Sequence, residues 1–230
     1  MSQRSANLCS QVIVRILRSL VALTLLPLVI GGAWAGLDLL WRSRRAGEFW
    51  LAFGGGAAAW MLIYTFLPKP LWLYVTGHEL THALWAILFG GRVKSFRATS
   101  KGGAVVVTKS NILIVLAPYF FPFYAILWLT LWALLNRFFP DLHRALLDFG
   151  LGATYSFHLT LTAHILKIRQ TDITSQGHLL SAMVILLGNF LVLLLALPTL
   201  TGTIHLTDAF WHWADQTGRV LEWAVPRRWR

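Results

Sequence analysis

The division of this chain into long apolar blocks constrains its fold more than any other feature. Six stretches approach or exceed the roughly 20 apolar residues that a helix needs to cross a bilayer. Only 13% of the residues are charged, against about 25% in an ordinary soluble domain. We therefore predict an all-α polytopic membrane protein. The six predicted transmembrane helices are approximately Leu20–Leu40, Phe49–Leu67, Leu71–Phe89, Ile112–Leu135, Ala145–Leu166 and His178–Leu200.

The first apolar block has a second interpretation, as a cleaved signal peptide. Arg15 and Arg18 precede it, and Ala-Trp-Ala at positions 33–35 imitates a small-residue cleavage site. The apolar run continues to Leu40, however, and no soluble domain follows it. This pattern favours a retained membrane anchor.

The positive charge of the chain indicates a lipid partner rather than nucleic acid. The net charge is +11, but the basic residues are spread through the short connections between apolar blocks. They divide ten to ten between the two sides of a six-span arrangement, so membrane orientation stays open. Cys9 is the single cysteine, which excludes an intramolecular disulfide and a thiolate metal cluster.

Three further segments have their own composition. Gly91–Ser110 combines five basic residues with a glycine pair and the β-favouring run Val105–Thr108, which predicts a short β-hairpin or re-entrant strand. Gly54–Gly56 gives the second span a smooth face for close helix packing. Tryptophans and a basic end predict an interfacial amphipathic tail over residues 201–230. We expect one domain over residues 1–230, with its core at 71–200.

The third span contains an HExxH pattern at residues 78–82. His78 and His82 are four residues apart, so on a helix both imidazoles lie on one face and can bind one zinc ion. Glu79 projects beside the metal and can take a proton from its water. Ionisable groups within a span are costly to bury, and three in five residues therefore indicate a functional site. Two buried histidines bonded to the backbone are the plainer alternative.

The third metal ligand is not given by the HExxH pattern. The extended form HExxHxxGxxH is excluded because Trp85 and Leu88 occupy the positions of its glycine and third histidine. Glu222 is the only later glutamate, and it lies in the tail.

Asp172 is the best placed of the later acids, just before the sixth predicted span. His158 and His164, in the fifth predicted span, compete with it as ligands. Each of these histidines could instead be satisfied by a hydrogen bond between helices, which is the interpretation we favour for them.

The chain resembles the site-2 protease family of intramembrane zinc metalloproteases. The matching segments are His78–Leu84, Gly90–Phe96 and Gly102–Val105. The resemblance covers residues 71–200. The chain is similar to the small bacterial branch of the family, whose members lack PDZ and CBS domains. The family's third ligand is an aspartate in Leu-Asp-Gly. This chain has Asp172 between Thr and Ile, followed by Gly177–Leu180, which is similar to the family's Gly-His-Leu-Leu.

The resemblance implies hydrolysis of peptide bonds in membrane-anchored protein substrates, within a bacterial cytoplasmic membrane. One zinc ion would be held by His78, His82 and Asp172, and Glu79 would act as general base and then as acid. An extended substrate would pair with the hairpin. The residues expected to contact it are Gly103, Val105, Val106 and Val107.

Two other functions use the same residues without proteolysis. A zinc transporter or sensor would bind the metal through the histidines, but it would not require a carboxylate at Glu79. A scaffold protein derived from an inactive protease would not require an intact HExxH, although the altered motif around Asp172 leaves room for it. The sequence indicates neither the substrate nor the oligomeric state.

Overall fold

The computed structural model describes residues 3–224, which are mostly helical. The all-α prediction is confirmed in this coarse sense, with one pair of strands added. The helices are α1 Gln3–Ser43, α2 Gly47–Phe66, α3 Leu71–Leu88, α4 Ile112–Leu116, α5 Phe123–Phe138, α6 Arg144–Ile165, α7 Thr171–Gln176, α8 His178–Thr201 and α9 Leu206–Ala224. The strands are β1 Val93–Thr99 and β2 Gly102–Val107.

Three described helices are long and apolar enough to cross a membrane: α1 over Ser10–Ser43, α2 and α8. They are compatible with a membrane protein. A fourth candidate is broken, because Ile112–Tyr119 and Phe123–Phe138 meet at an angle of 79°. The helix over Ile112–Leu135 is therefore interrupted, and its crossing of a membrane stays a prediction. Pro122 lies at the break, where its ring and missing N–H oppose a continuous helix.

The remaining two predicted spans form helices α3 and α6, but these do not meet the same test of length and apolarity. Both contain ionisable side chains, among them His78 and Glu79 in α3 and Asp148 in α6. The number of six spans stays a prediction.

Residues 44–169 form one compact unit, in which α2 packs along α6. A Cβ atom on Gly56 would meet the carbonyl oxygen of Phe149, and one on Gly152 would meet the carbonyl oxygen of Phe53. The two backbones approach each other at these glycines. The close packing predicted for Gly54–Gly56 is confirmed at Gly56.

A cluster of buried side chains joins α2, α3 and α6 in this unit. Its members are Trp60, Tyr74, Phe157 and Leu161. The indole N–H of Trp60 donates to Thr160 Oγ1 at 2.8 Å, and the hydroxyl oxygens of Tyr74 and Thr162 lie 3.2 Å apart. These polar bonds fix the relative register of the helices, and so they position the helix that contains HExxH.

The two strands pair antiparallel, from Val93 opposite Val107 to Thr99 opposite Gly102, with an irregularity between Val93 and Ser95. Both strands contact α3. They occupy the segment for which the sequence predicts a hairpin or re-entrant strand. Its entry into a membrane stays a prediction.

Residues 3–43 and 170–224 form the second compact unit, in which α1 packs against α8 and α9. The Trp213 indole donates to the carbonyl of Leu28 at 2.9 Å. Asp38 forms an ion pair with Arg42, and its carboxylate lies 3.2 Å from His212 Nε2. The single domain predicted over residues 1–230 stays a prediction.

Helix α9 lies within the predicted interfacial tail and exposes Trp211 and Trp223. The basic end of that tail lies outside the described residues. Its members are Arg227, Arg228 and Arg230.

Candidate metal centre

His78 and His82 lie one turn apart in α3, and their Nε2 atoms are separated by 3.2 Å. Two nitrogen ligands of a tetrahedral zinc ion, each 2.0–2.1 Å from the metal, are about 3.3 Å apart. The observed spacing therefore fits two ligands of one ion. An N–H···N bond between two neutral imidazoles also fits this distance.

The ring of His82 is oriented by the backbone of α4. Its Nδ1 lies 2.8 Å from the carbonyl oxygen of Ile114. Because a carbonyl can only accept, the proton must be on Nδ1, and in the neutral ring Nε2 keeps its lone pair. Metal-binding histidines are commonly oriented by such a bond from their second nitrogen. His82 thus has the tautomer that a zinc ligand requires.

Asn111 holds Ile114 in place. It is the N-cap of α4, and its Oδ1 accepts a hydrogen bond of 2.8 Å from the backbone N–H of Ile114. Asn111 thus holds the backbone of the residue whose carbonyl orients His82. The imidazole of His82 and the carbonyl of Ile114 are 32 residues apart in the sequence, and their contact was not predicted.

Glu79 is buried, with 8% of its surface exposed, and β2 lies directly against it. A Cβ atom on Gly103 would be 2.5 Å from Glu79 Cγ and 2.7 Å from its Oε1. Glycine is therefore required for this approach of strand to carboxylate. Gly103 is also one of the predicted substrate contacts, and its nearness to Glu79 adds a structural reason for a glycine there.

The side chains of β2 alternate between two faces of the strand, and Gly103 lies on one of them. Val105 and Val107 are half-buried on the same face as Gly103, whereas Val106 is 50% exposed on the other. Among the described residues β2 pairs with β1 alone, so its second edge has no strand partner. Such an edge can accept an extended peptide.

No third ligand completes the pair within residues 44–169. In this unit, all of which is described, no other histidine, cysteine or carboxylate has a ligand atom within 4.8 Å of the two imidazole nitrogens. His158 is accordingly not placed as a shared ligand with His78 and His82. His164 lies in the last turn of α6.

The hydrogen bond between helices that we expected for His158 is not found at its Nε2 within the described part of the chain. His158 Nε2 is buried and has no hydrogen-bond partner among the described residues. Only 6% of the residue is exposed. A buried polar nitrogen in this state calls for a functional explanation.

Asp172 lies in the other compact unit, in the first turn of α7. The chain turns between α7 and α8 at Gly177, whose φ of 90° lies in the region that favours glycine. The hydroxyl of Ser181 donates to the carbonyl of Ile173 at 3.2 Å across this turn. Asp172 therefore lies in a six-residue helix that has non-helical residues on both sides.

Comparisons of the chain with protein-family models, with curated proteins and with solved structures found no match.

Proposed function

We propose that the protein is an intramembrane zinc metalloprotease that hydrolyses peptide bonds of membrane-anchored substrates. The observation that carries this proposal is the pair of imidazole nitrogens 3.2 Å apart in His78 and His82, with Glu79 on the same helix. Zinc fits this donor set, because it favours imidazole and carboxylate ligands in a tetrahedral arrangement.

His78 and His82 would hold one zinc ion per chain. Catalytic zinc sites usually have three protein ligands, and residues 44–169 supply only two. We therefore propose Asp172 as the third ligand, on the strength of its carboxylate and of the family resemblance. When bound, zinc would polarise the substrate carbonyl and acidify a water molecule.

Glu79 would perform the proton transfers. Its carboxylate takes a proton from the attacking water and then delivers that proton to the nitrogen of the leaving amine. Burial under Gly103 keeps the carboxylate in one place relative to the strand. This is the feature that separates a protease from a transporter or sensor, which needs the histidines alone.

The unpartnered edge of β2 would receive the substrate as an added strand. Because β2 lies against Glu79 at Gly103, a peptide paired with this edge would pass close to the base. Non-helical backbone is tolerated at membrane depth only where protein or water surrounds it. Six spans, a bacterial cytoplasmic membrane and kinship with the small site-2 proteases complete the proposal and rest on the sequence.

The test compares the parental protein with Glu79→Gln after reconstitution in liposomes. A panel of synthetic single-span peptides is incubated with each protein, and cleavage is detected by mass spectrometry. The amide cannot take the proton, so Glu79→Gln should lose cleavage by about 100-fold or more while keeping its zinc. Glu48→Gln, an exposed glutamate in the first turn of α2, is the matched control. Parental cleavage that survives in Glu79→Gln would refute the mechanism.

A further inference from the structure

A pocket lies beside His78, between α3, the start of α5 and α6. Its walls are mainly aromatic and include Phe121, Tyr124 and Phe157. Its volume of about 20 Å³ is enough to hold a water molecule. A group held in this pocket would therefore be adjacent to His78 of the candidate metal centre.

The pocket wall formed by Tyr124 is held rigidly. The Tyr124 hydroxyl donates to the carbonyl of Leu73 at 2.6 Å. A Cβ atom on Gly77 would lie 2.6 Å from the Tyr124 ring, so the ring packs directly on the backbone of α3. Phe157 contacts the same ring edge to face, at 5.2 Å between centroids. These contacts give the pocket a fixed shape.

His158 and His78 both line this pocket. A hydrogen bond between the hydroxyls of Tyr74 and Thr162 connects α3 with α6. His78 is one turn after Tyr74 in α3, and His158 is one turn before Thr162 in α6. The contact between Tyr74 and Thr162 thus sets the helix register that brings both imidazoles to the same pocket.

The Nε2 of His158 is a buried polar atom in the wall of this mainly aromatic pocket. It has no hydrogen-bond partner among the described residues, although burial of an unsatisfied polar atom costs free energy. It is not part of the ligand pair, because its nitrogens do not lie within 4.8 Å of both His78 and His82 ligand atoms. An acceptor that enters the pocket with substrate would satisfy it.

We propose that His158 is a further catalytic residue, which donates a hydrogen bond from Nε2 to the carbonyl oxygen of the scissile peptide. This inference rests on the proposed protease function and adds a residue to it. The neutral imidazole carries one proton, and a proton on Nε2 makes this nitrogen a donor. Preorganised donors of this kind act most strongly where little water is present, and the mainly aromatic walls offer few polar partners for water.

In the proposed reaction, water adds to the scissile carbonyl and the amine then leaves. The water oxygen forms a bond to the carbonyl carbon, its proton passes to Glu79, and the carbonyl π electrons move to the substrate oxygen. That oxygen accepts the hydrogen bond from His158 while it carries the negative charge. The carbonyl then re-forms, the C–N bond breaks, and the amine nitrogen takes the proton from Glu79. His158 keeps its own proton throughout.

The experiment uses His158→Phe, which keeps an aromatic ring without a donor, and His158→Gln, which keeps an N–H at similar reach. Both are assayed on the single-span peptide that the parental protein cleaves best. We expect His158→Phe to lower kcat by about 100-fold to 1,000-fold with little change in KM. His158→Gln should recover a substantial part of this loss. His164→Phe, on the same helix, is the matched control.

A second measurement needs no catalysis. A phosphinic peptide carries an oxygen on tetrahedral phosphorus where the charged substrate oxygen would be. His158→Phe should bind it at least about tenfold more weakly than the parental protein at equal zinc content, and His158→Gln should bind it more tightly than His158→Phe.

Three outcomes would overturn the proposal, and they are distinguishable. Parental-like kcat and phosphinic peptide affinity in His158→Phe would show that His158 only holds a buried water. Zinc loss in His158→Phe equal to that of His78→Ala would make it a metal ligand. Absence of parental cleavage on every peptide would refute the protease function itself, and the role of His158 with it.

Discussion

Gly103 and Glu79 are in direct contact, and a Cβ atom on the glycine would lie 2.5 Å from Glu79 Cγ. The contact links the two parts of the proposed protease, because the strand that would receive substrate also covers the proposed base. Ala98 is the partner of Gly103 in β1, so the pair of strands is in register at this point.

Gly103→Ala should therefore damage catalysis without removing the metal. The added methyl group must displace either the Glu79 carboxylate or β2, and a displacement of about 1 Å can reduce a rate by about 100-fold. Cleavage rate and zinc content measured on one preparation would check this. Ala104→Val adds volume on the opposite face of the strand and should retain most activity. Equal losses in both variants would argue against the contact as the cause.

Asn111→Ala should weaken zinc binding although Asn111 is not a ligand. Loss of the cap frees the Ile114 backbone, whose carbonyl orients His82, and comparable losses of an orienting group cost about 10- to 100-fold in affinity. We expect the lower end of that range, measured by competition with a zinc chelator. Asn111→Ser retains a capping oxygen and should stay near the parental affinity. Weakening of the same size in both variants would contradict the orienting role.

The sequence predicts the local parts of this site well and the long-range parts poorly. Spacing within one helix is enough to pair His78 with His82, because four residues make about one turn. By contrast, the carbonyl that orients His82 belongs to Ile114, in a helix of five residues whose sequence is uniformly apolar. Nothing in that apolar run distinguishes one backbone carbonyl from the next.

The broken fourth span shows a similar limit. Hydropathy alone joins Ile112 to Leu135, since the intervening residues are nearly all apolar. The prolines at 118 and 122 were the available signal, and the break of 79° falls beside the second of them. His158 was predicted as a ligand candidate, but its place in one pocket with His78 depends on the register between α3 and α6, which no local pattern encodes.

Gly56→Ala should destabilise the unit formed by residues 44–169. Its methyl group would meet the backbone carbonyl of Phe149, which cannot rotate away as a side chain can, so a loss of about 1–3 kcal/mol is expected. Thermal unfolding in detergent would measure it. Gly54→Ala, in the same helix with nothing within 4 Å, should be neutral or stabilising by up to about 1 kcal/mol. Equal stability of the two variants would contradict the close helix packing.

Asp172→Asn tests the third ligand. An amide is a much poorer zinc ligand than a carboxylate, and we expect zinc affinity to fall by at least about 10- to 100-fold. His158→Ala should cost less zinc affinity, because His158 is not placed as a shared ligand with the histidine pair. Asp141→Asn, at an exposed acid between α5 and α6, is the control. Parental zinc affinity in Asp172→Asn would remove Asp172 from the site and leave His78 and His82 in it.

Zinc content tests the central claim most directly, since both the metal centre and the protease depend on His78 and His82. Elemental analysis of the purified protein should find about one zinc ion per chain. We assign at least three protein ligands to this ion. His78→Ala should lose most of it, because only two of the three proposed protein ligands remain and catalytic zinc sites usually need three. His143→Ala, at an exposed histidine preceding α6, should keep it. Full zinc retention in His78→Ala and in His82→Ala would contradict the account.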